Sequence, residues 1–395
     1  MALLAFSDRQ FRLFFMGIFF AVQSIWIQRV TLSWIAWERT GSAGFVGFVA
    51  ALSMAPTLVA GPLFGVLADR MNILRAAFFT NGAMILILTI LALCLPIIEP
   101  WGLAVAGLSI GIVSSAHHPV RMSLGPRLVA PDMVQHVVSA AALNFNLARL
   151  VAPALTGLMI AQLGASTALW VAVAFYMPMI AVLTRLRPRV LPPRVATSFL
   201  SELIEGLRYS AQSPLVRQAL LLTFVFATIV RGALEVLPVL ADGAFERGAS
   251  GLGLLTGAAG AGALGAAMLK AVGVGAVGAR IPWPVLAAAM AGQISVVMMG
   301  LAPIWPMALA ATALSGFCAT WCGVSLQAAI QTDLPDEFRG RVMSLWTVMG
   351  FGTVAIGALA IGGLAEWIEI GPALVAAGVL GMLAQAAIIL GGAKA

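Results

Sequence analysis

GFVGFVAALSMAPTLVAGPLFGVL, the stretch Gly44–Leu67, contains no charged side chain. A helix needs about 20 apolar residues to cross ~30 Å of hydrocarbon, and this run supplies that length. The same property recurs at Ala76–Ile98, Leu150–Thr184 and Ile281–Thr332. So many uncharged runs exceed what the core of a soluble protein of 395 residues can bury. The chain therefore reads as a polytopic, all-α membrane protein.

Composition agrees. Charged residues make up 9% and hydrophobic residues 61%, too few charges for a water-facing surface of ordinary size. The net charge of +7 reads as membrane topology rather than nucleic-acid affinity, because the arginines sit singly at segment ends with no basic stripe interleaved with aromatics. Cys94, Cys318 and Cys322 all fall in apolar segments and read as small core residues. They complete no metal site. No signal-peptide cleavage site precedes the long first hydrophobic helix.

Pro, Gly and charge breaks divide the chain into twelve expected spans: 11–37, 42–67, 74–96, 100–124, 137–163, 166–187, 214–240, 250–276, 282–302, 304–330, 340–365 and 369–392. Pro303 and Pro306 bracket a tight turn between the ninth and tenth. The longest polar gap separates the sixth and seventh. The expected units are a six-helix bundle over 1–187, a linker over 188–213 and a second six-helix bundle over 214–395. Within the linker, Phe199, Leu203 and Leu207, interleaved with Glu202, Glu205 and Arg208, predict a short amphipathic helix at the membrane surface.

Of 22 Lys and Arg residues, seventeen fall on one side of this topology, at the tails and even-numbered connections. Arg39 and Arg247 fall on the other side, and Arg29, Arg149 and Arg231 lie inside spans. This asymmetry predicts that both termini are cytoplasmic. The halves also echo each other: Leu128-Val-Ala-Pro-Asp132 recurs as Asp333-Leu-Pro-Asp336, and Thr156-Gly-Leu-Met as Gly362-Gly-Leu-Ala. Two six-span units inserted in the same direction form a parallel repeat, whose substrate site lies at mid-depth between them. Gly253, Gly257, Gly260, Gly262 and Gly265 predict close packing along the eighth span.

Gly65-Val-Leu-Ala-Asp69-Arg70 with Arg75, following the second span, resembles the loop motif of the major facilitator superfamily. Ile27-Gln-Arg-Val-Thr-Leu-Ser-Trp34, Ala142-Leu-Asn-Phe-Asn-Leu-Ala-Arg149-Leu-Val-Ala-Pro153 and Gly340-Arg-Val-Met-Ser344 resemble its bacterial branch of enterobactin-exporter-like and drug-exporter-like proteins. The resemblance covers almost the whole chain. It implies a monomeric inner-membrane exporter exchanging a small molecule for protons. It also implies a conformational latch, in which Asp69, with Arg70 and Arg75, holds the start of the eleventh span. Two departures stand out. Asn72, Ile73 and Leu74 replace the usual Gly and basic residues of the loop, with Asn72 expected to tolerate a left-handed backbone. The span-five element of family antiporters keeps only Pro153 and Gly157 here.

Arg29, Arg149, Arg231 and Glu235 each cost at least ~2.5–3.5 kcal/mol inside a bilayer, so they are expected to face partners or a water-filled cavity. Arg29 and Glu235 are expected to meet across that cavity and close its outer end; a local Arg231–Glu235 pair is the alternative. Ser24, Gln28 and Thr31 share one face of the first span and predict a cavity wall. His117, neighbour to His118, is a proton-relay candidate or a plain helix-end histidine. Ser315 is a further polar contact. Glu235, the one acidic residue placed inside a span, is the candidate for proton coupling.

There is no Gly-rich phosphate loop with a Lys, no hydrolase constellation and no metal set, so neither an enzyme nor a cofactor is expected. The expected partners are a small-molecule substrate, protons and the lipid bilayer, without nucleic acid. The leading expectation is a secondary active exporter of a small amphipathic molecule such as a siderophore, drug or metabolite. An importer or lipid flippase of the same fold, and a transporter-like scaffold, are the alternatives.

Overall fold

The computed structural model describes residues 6–70, 72–189, 199–271, 281–334 and 336–392. Thirteen α-helices run through them: α1 Arg9–Thr40, α2 Ala43–Arg70, α3 Ile73–Cys94, α4 Pro100–Leu124, α5 Val134–Leu183, α6 Phe199–Gln212, α7 Pro214–Phe226, α8 Gly248–Ala271, α9 Trp283–Gly300, α10 Trp305–Asp333, α11 Asp336–Thr347, α12 Thr353–Ile368 and α13 Ile370–Gly392. Ten helical stretches among the described residues are long and apolar enough to cross a membrane. This is a multi-pass, all-helical membrane protein. Its outward surface is greasy, with Leu93, Trp101, Leu383 and Trp367 exposed, as lipid-facing helices require.

Local chemistry sets the helix ends. The Asp8 carboxylate accepts from the Gln10 and Phe11 amides at 2.7 and 3.1 Å and caps α1. Gly41 ends α1 in the left-handed region at φ 59°, its N–H bonded to the Trp37 carbonyl. Gly164 interrupts α5 at φ 84°, ψ 161°, a conformation essentially reserved for glycine, so the helical run turns there. Asn72 is not left-handed as expected from its place in the loop. It lies at φ −61°, ψ 117° and caps α3, its side-chain oxygen accepting from Leu74 and Arg75. An Asn side chain supplies a capping oxygen that Gly lacks, and this decides its role.

The expected seventh and eleventh spans are not uniform α-helices. Ala227–Arg231, Val239–Ala244 and Val348–Gly352 are π-helical. Each such segment widens the helix by one residue per turn and shifts the faces that follow it.

Helix packing sorts into two groups. In the first, α5 packs on α1 and α3, and α4 on α2. In the second, α8 and α9 pack on α10, and α13 on α9. The groups join through α2 against α12 and α5 against α8. Both joints are built on small residues: a Cβ on Gly157 would lie 2.6 Å from the Gly253 Cα, and one on Gly47 would run into the Ala358 carbonyl. Lipid provides no hydrophobic drive for association, so such close backbone approach must supply it. Helix α6 lies against α11, with Gly206 on the Arg341 backbone, Tyr209 stacked on Phe338 and Glu205 paired to Arg341 at 2.6 Å. Ile204 and Leu207 stay exposed on it.

Candidate functional site

Arg29, on α1, forms an ion pair with Glu235, which follows the π-helical segment Ala227–Arg231. The pair joins the two groups of helices. It is mostly removed from solvent on the carboxylate side, where Glu235 is 10% exposed. At low dielectric an unpaired charge here would be costly, so each group stabilises the other.

Two cavities flank the pair and share Arg29, Ser33 and Glu235 as walls. One, of about 190 Å³, opens among α1, α2 and α4 and carries Gln28, Ser53, Thr57 and Ser114. The other, of about 130 Å³, is lined by Trp26, Phe145, Arg149, Arg231 and Thr256. Arg149 and Arg29 lie over the Trp26 ring at 6.0 and 5.5 Å from its centroid, within cation–π reach. Arg149 donates to the Thr320 hydroxyl at 3.4 Å, and Arg231 to the Gly350 carbonyl at 2.7 Å.

Further contacts join the groups toward the Gly41 end of the bundle. The Trp37 indole donates to Asp242 at 2.8 Å. Glu366, near the end of α12, accepts from the Gly44 amide at 2.8 Å and from the Ser42 hydroxyl, placing its charge at the N-terminus of α2. A carboxylate is favourable there because it meets unpaired amides and the positive end of the helix dipole.

Of the expected cavity residues, Gln28, Arg29, Arg231 and Glu235 line these two cavities. Ser24, Thr31, His117 and Ser315 line neither. The Ser24 hydroxyl donates to the Ala172 carbonyl, binding α1 to α5, and Thr31 bonds back to Ile27 on its own helix. His117 is buried with Nε2 at 3.3 Å from the Asn81 side-chain oxygen and its ring edge-on to Tyr176. Ser315 meets Ser295 at 2.6 Å between α9 and α10. In each case a nearby backbone or polar group satisfies the side chain within the packed helices. Asp69 and Arg70 close α2, and their side chains lie outside the described residues; Arg75 is exposed in the first turn of α3. Sequence reasoning missed Trp26, Phe145, Trp37, Asp242 and Glu366 as participants. The aromatics carry no signal inside apolar runs, and the acids fall between the expected spans.

Residues 1–392 match the transmembrane secretion effector family of the major facilitator superfamily. The chain belongs to that family. It is a membrane transporter, not an enzyme. It is 26% identical over 358 residues to the enterobactin exporter EntS of Shigella boydii serotype 4, covering 90% of this chain and 85% of that one. The same exporter from Escherichia coli O139:H28 matches with equal identity and coverage. Among solved structures, a mutant of the nucleoside transporter NupG superposes with a TM-score of 0.76 at 11% identity, covering 97% of this chain and 99% of NupG. The POT family transporter PepTSo gives 0.76 at 14%, covering 98% of each chain. At such identities the likeness is one of fold.

Proposed function

We propose that this transporter is a secondary active exporter of the bacterial inner membrane, moving a small amphipathic organic molecule outward in exchange for protons by alternating access. The observation that carries the reading is the Arg29–Glu235 pair, set between two cavities and joining two groups of helices. A charge pair costly to bury and placed where the groups meet is suited to switching, because protonating Glu235 removes one partner and loosens the joint. A scaffold would have no use for it.

The topology proposed is twelve crossings in two six-helix units, 1–187 and 214–395, joined by the 188–213 linker. Three observations support that count. The break at Gly164 divides α5 into two lengths, α7 is followed by two π-helical segments that carry the chain to Ala244 with a turn at 234–236 between them, and α11 and α12 join through Val348–Gly352. Both termini are assigned to the cytoplasm on the arginine asymmetry, which makes the Gly41 end external. With that orientation, Trp37–Asp242 and Glu366 at the start of α2 tie the two groups of helices together at the outer end. Asp69, with Arg70 and Arg75, is proposed to do at the inner end of α2 what Glu366 does at the outer end of α12. The transporter is proposed to act as a monomer with no nucleic-acid partner.

The test is transport itself. Inverted membrane vesicles carrying the protein are energised with an imposed pH gradient and screened against siderophore, drug and metabolite mixtures. Uptake of a compound that stops when the gradient is collapsed supports the reading. Uptake indifferent to the gradient refutes proton exchange, and no uptake of any compound favours a scaffold.

A further inference from the structure

The smaller cavity is unbalanced in charge. Its lining carries three guanidinium groups, Arg29, Arg149 and Arg231, and one carboxylate, Glu235. That carboxylate is already engaged with Arg29. Arg149 lies against a neutral hydroxyl, Thr320. Within a bundle surrounded by hydrocarbon, a lining with more guanidinium than carboxylate groups favours a negative occupant far more strongly than it would in water.

A second and independent observation comes from Trp26. This residue is 8% exposed, lines the same cavity, and its indole N–H has no hydrogen-bond partner among the described residues. Trp Nε1 is a donor only, and a buried donor left unpaired is destabilising. The charged and buried polar groups on this wall other than Glu235, the three guanidinium groups and the Trp26 N–H, therefore donate without accepting, with only the Ser33 and Thr256 hydroxyls able to do both. The matching ligand supplies acceptors and negative charge. The rest of the wall is apolar, with Phe145, Val30, Leu234 and Leu252 alongside the Trp26 ring, so the ligand also carries a hydrophobic or aromatic body.

We infer that the substrate is an organic anion, a carboxylate, sulfonate or phosphate attached to an aromatic or similarly flat apolar group. Its charged end is held by Arg149 and Arg231 with the Trp26 N–H, and its apolar end by Phe145 and the aliphatic wall. Arg29 is held in reserve by Glu235, so the acid competes with the substrate for one guanidinium. The inference rests on the proposal that this cavity carries substrate. It is distinguishable from it, because binding is measured without a gradient or net transport.

The experiment uses the purified full-length protein in phosphatidylcholine nanodiscs, so that no lipid supplies an anion. Three radiolabelled probes of one shape are compared at equilibrium: 2-naphthoate, neutral 2-naphthamide and cationic 2-naphthylmethylammonium. Naphthoate is expected to bind at least tenfold more tightly than either of the others. Arg149→Gln should weaken naphthoate at least tenfold while leaving the weak naphthamide binding in place, which also reports that the variant is folded. Trp26→Phe, keeping a ring but not the N–H, should weaken naphthoate severalfold, and Glu235→Gln should tighten it by freeing Arg29. Repeating the measurement in phosphatidylglycerol discs separates two sources of the same chemistry. Retained binding indicates a free organic anion, and competitive loss indicates an anionic lipid headgroup. Naphthoate bound no more tightly than naphthamide, tightest binding by the cation, or an unchanged affinity in both Arg149→Gln and Trp26→Phe would each overturn the inference.

Discussion

Arg231 donates to the carbonyl of Gly350 at 2.7 Å, and both residues belong to π-helical segments, Ala227–Arg231 and Val348–Gly352. A π segment displaces the regular hydrogen-bond ladder and leaves carbonyls open to outside donors. The bond thus ties the broken seventh-span region to the start of α12 beside the cavity that Arg231 lines. Gly357 of α12 packs directly on the Thr228 backbone one turn away, so the joint has no slack. Arg231→Gln keeps a donor for Gly350 but removes the charge. It should leave thermal stability nearly unchanged and reduce transport at least tenfold. Arg231→Leu orphans the carbonyl and should cost about 1–3 kcal/mol. Thermal unfolding in detergent, measured alongside vesicle transport, separates the two.

The Trp37–Asp242 bond is expected to stabilise the state closed at the Gly41 end. Trp37→Phe deletes one hydrogen bond worth about 1 kcal/mol and keeps an aromatic ring. That corresponds to roughly a fivefold shift of the conformational equilibrium toward opening there. A cysteine at Ser33, which lines both cavities, should react correspondingly faster with an impermeant reagent applied to intact cells.

Asp69→Asn should impair transport while leaving expression largely intact, since it removes charge from a contact made and broken during switching. Normal transport by Asp69→Asn would remove the latch assignment, and the lack of basic residues at Asn72, Ile73 and Leu74 would account for it.

Topology has its own check. Leu200→Cys, on α6 in the segment joining the two units, should resist an impermeant thiol reagent added outside intact cells and react in inverted vesicles. Labelling from outside would reverse the orientation and make the Gly41 end cytoplasmic.

The membrane fold was legible because lipid demands long apolar runs, and such runs have almost no other explanation. Arg29 and Glu235 were legible for the converse reason, since charge within a span is expensive enough to stand out. Ser24 and Thr31, expected from their shared helical face to wall a cavity, line neither of the two cavities beside the ion pair, and neither does Ser315. Helical spacing tells which residues share a face, but not which neighbour that face meets: the face of Ser24 meets Ala172 of α5. Trp26 and Phe145 were silent because an aromatic in an apolar run looks the same against lipid as against a ligand. Glu366 and Asp242 fall between the expected spans, and only the packing of α12 on α2 and of Trp37 near Val239–Ala244 gives them partners. The π-helical segments left no trace either, because a one-residue widening changes no composition.

Glu235 is proposed to couple proton movement to export. Glu235→Gln keeps the shape of the protonated side chain and removes the ionisation. The decisive measurement compares wild-type and Glu235→Gln protein in proteoliposomes, following both uphill transport under an imposed pH gradient and gradient-free exchange of labelled for unlabelled substrate. Glu235→Gln should retain binding and exchange while uphill transport falls to background. Uphill transport equal to wild type would contradict it and leave the Arg29–Glu235 pair a structural joint.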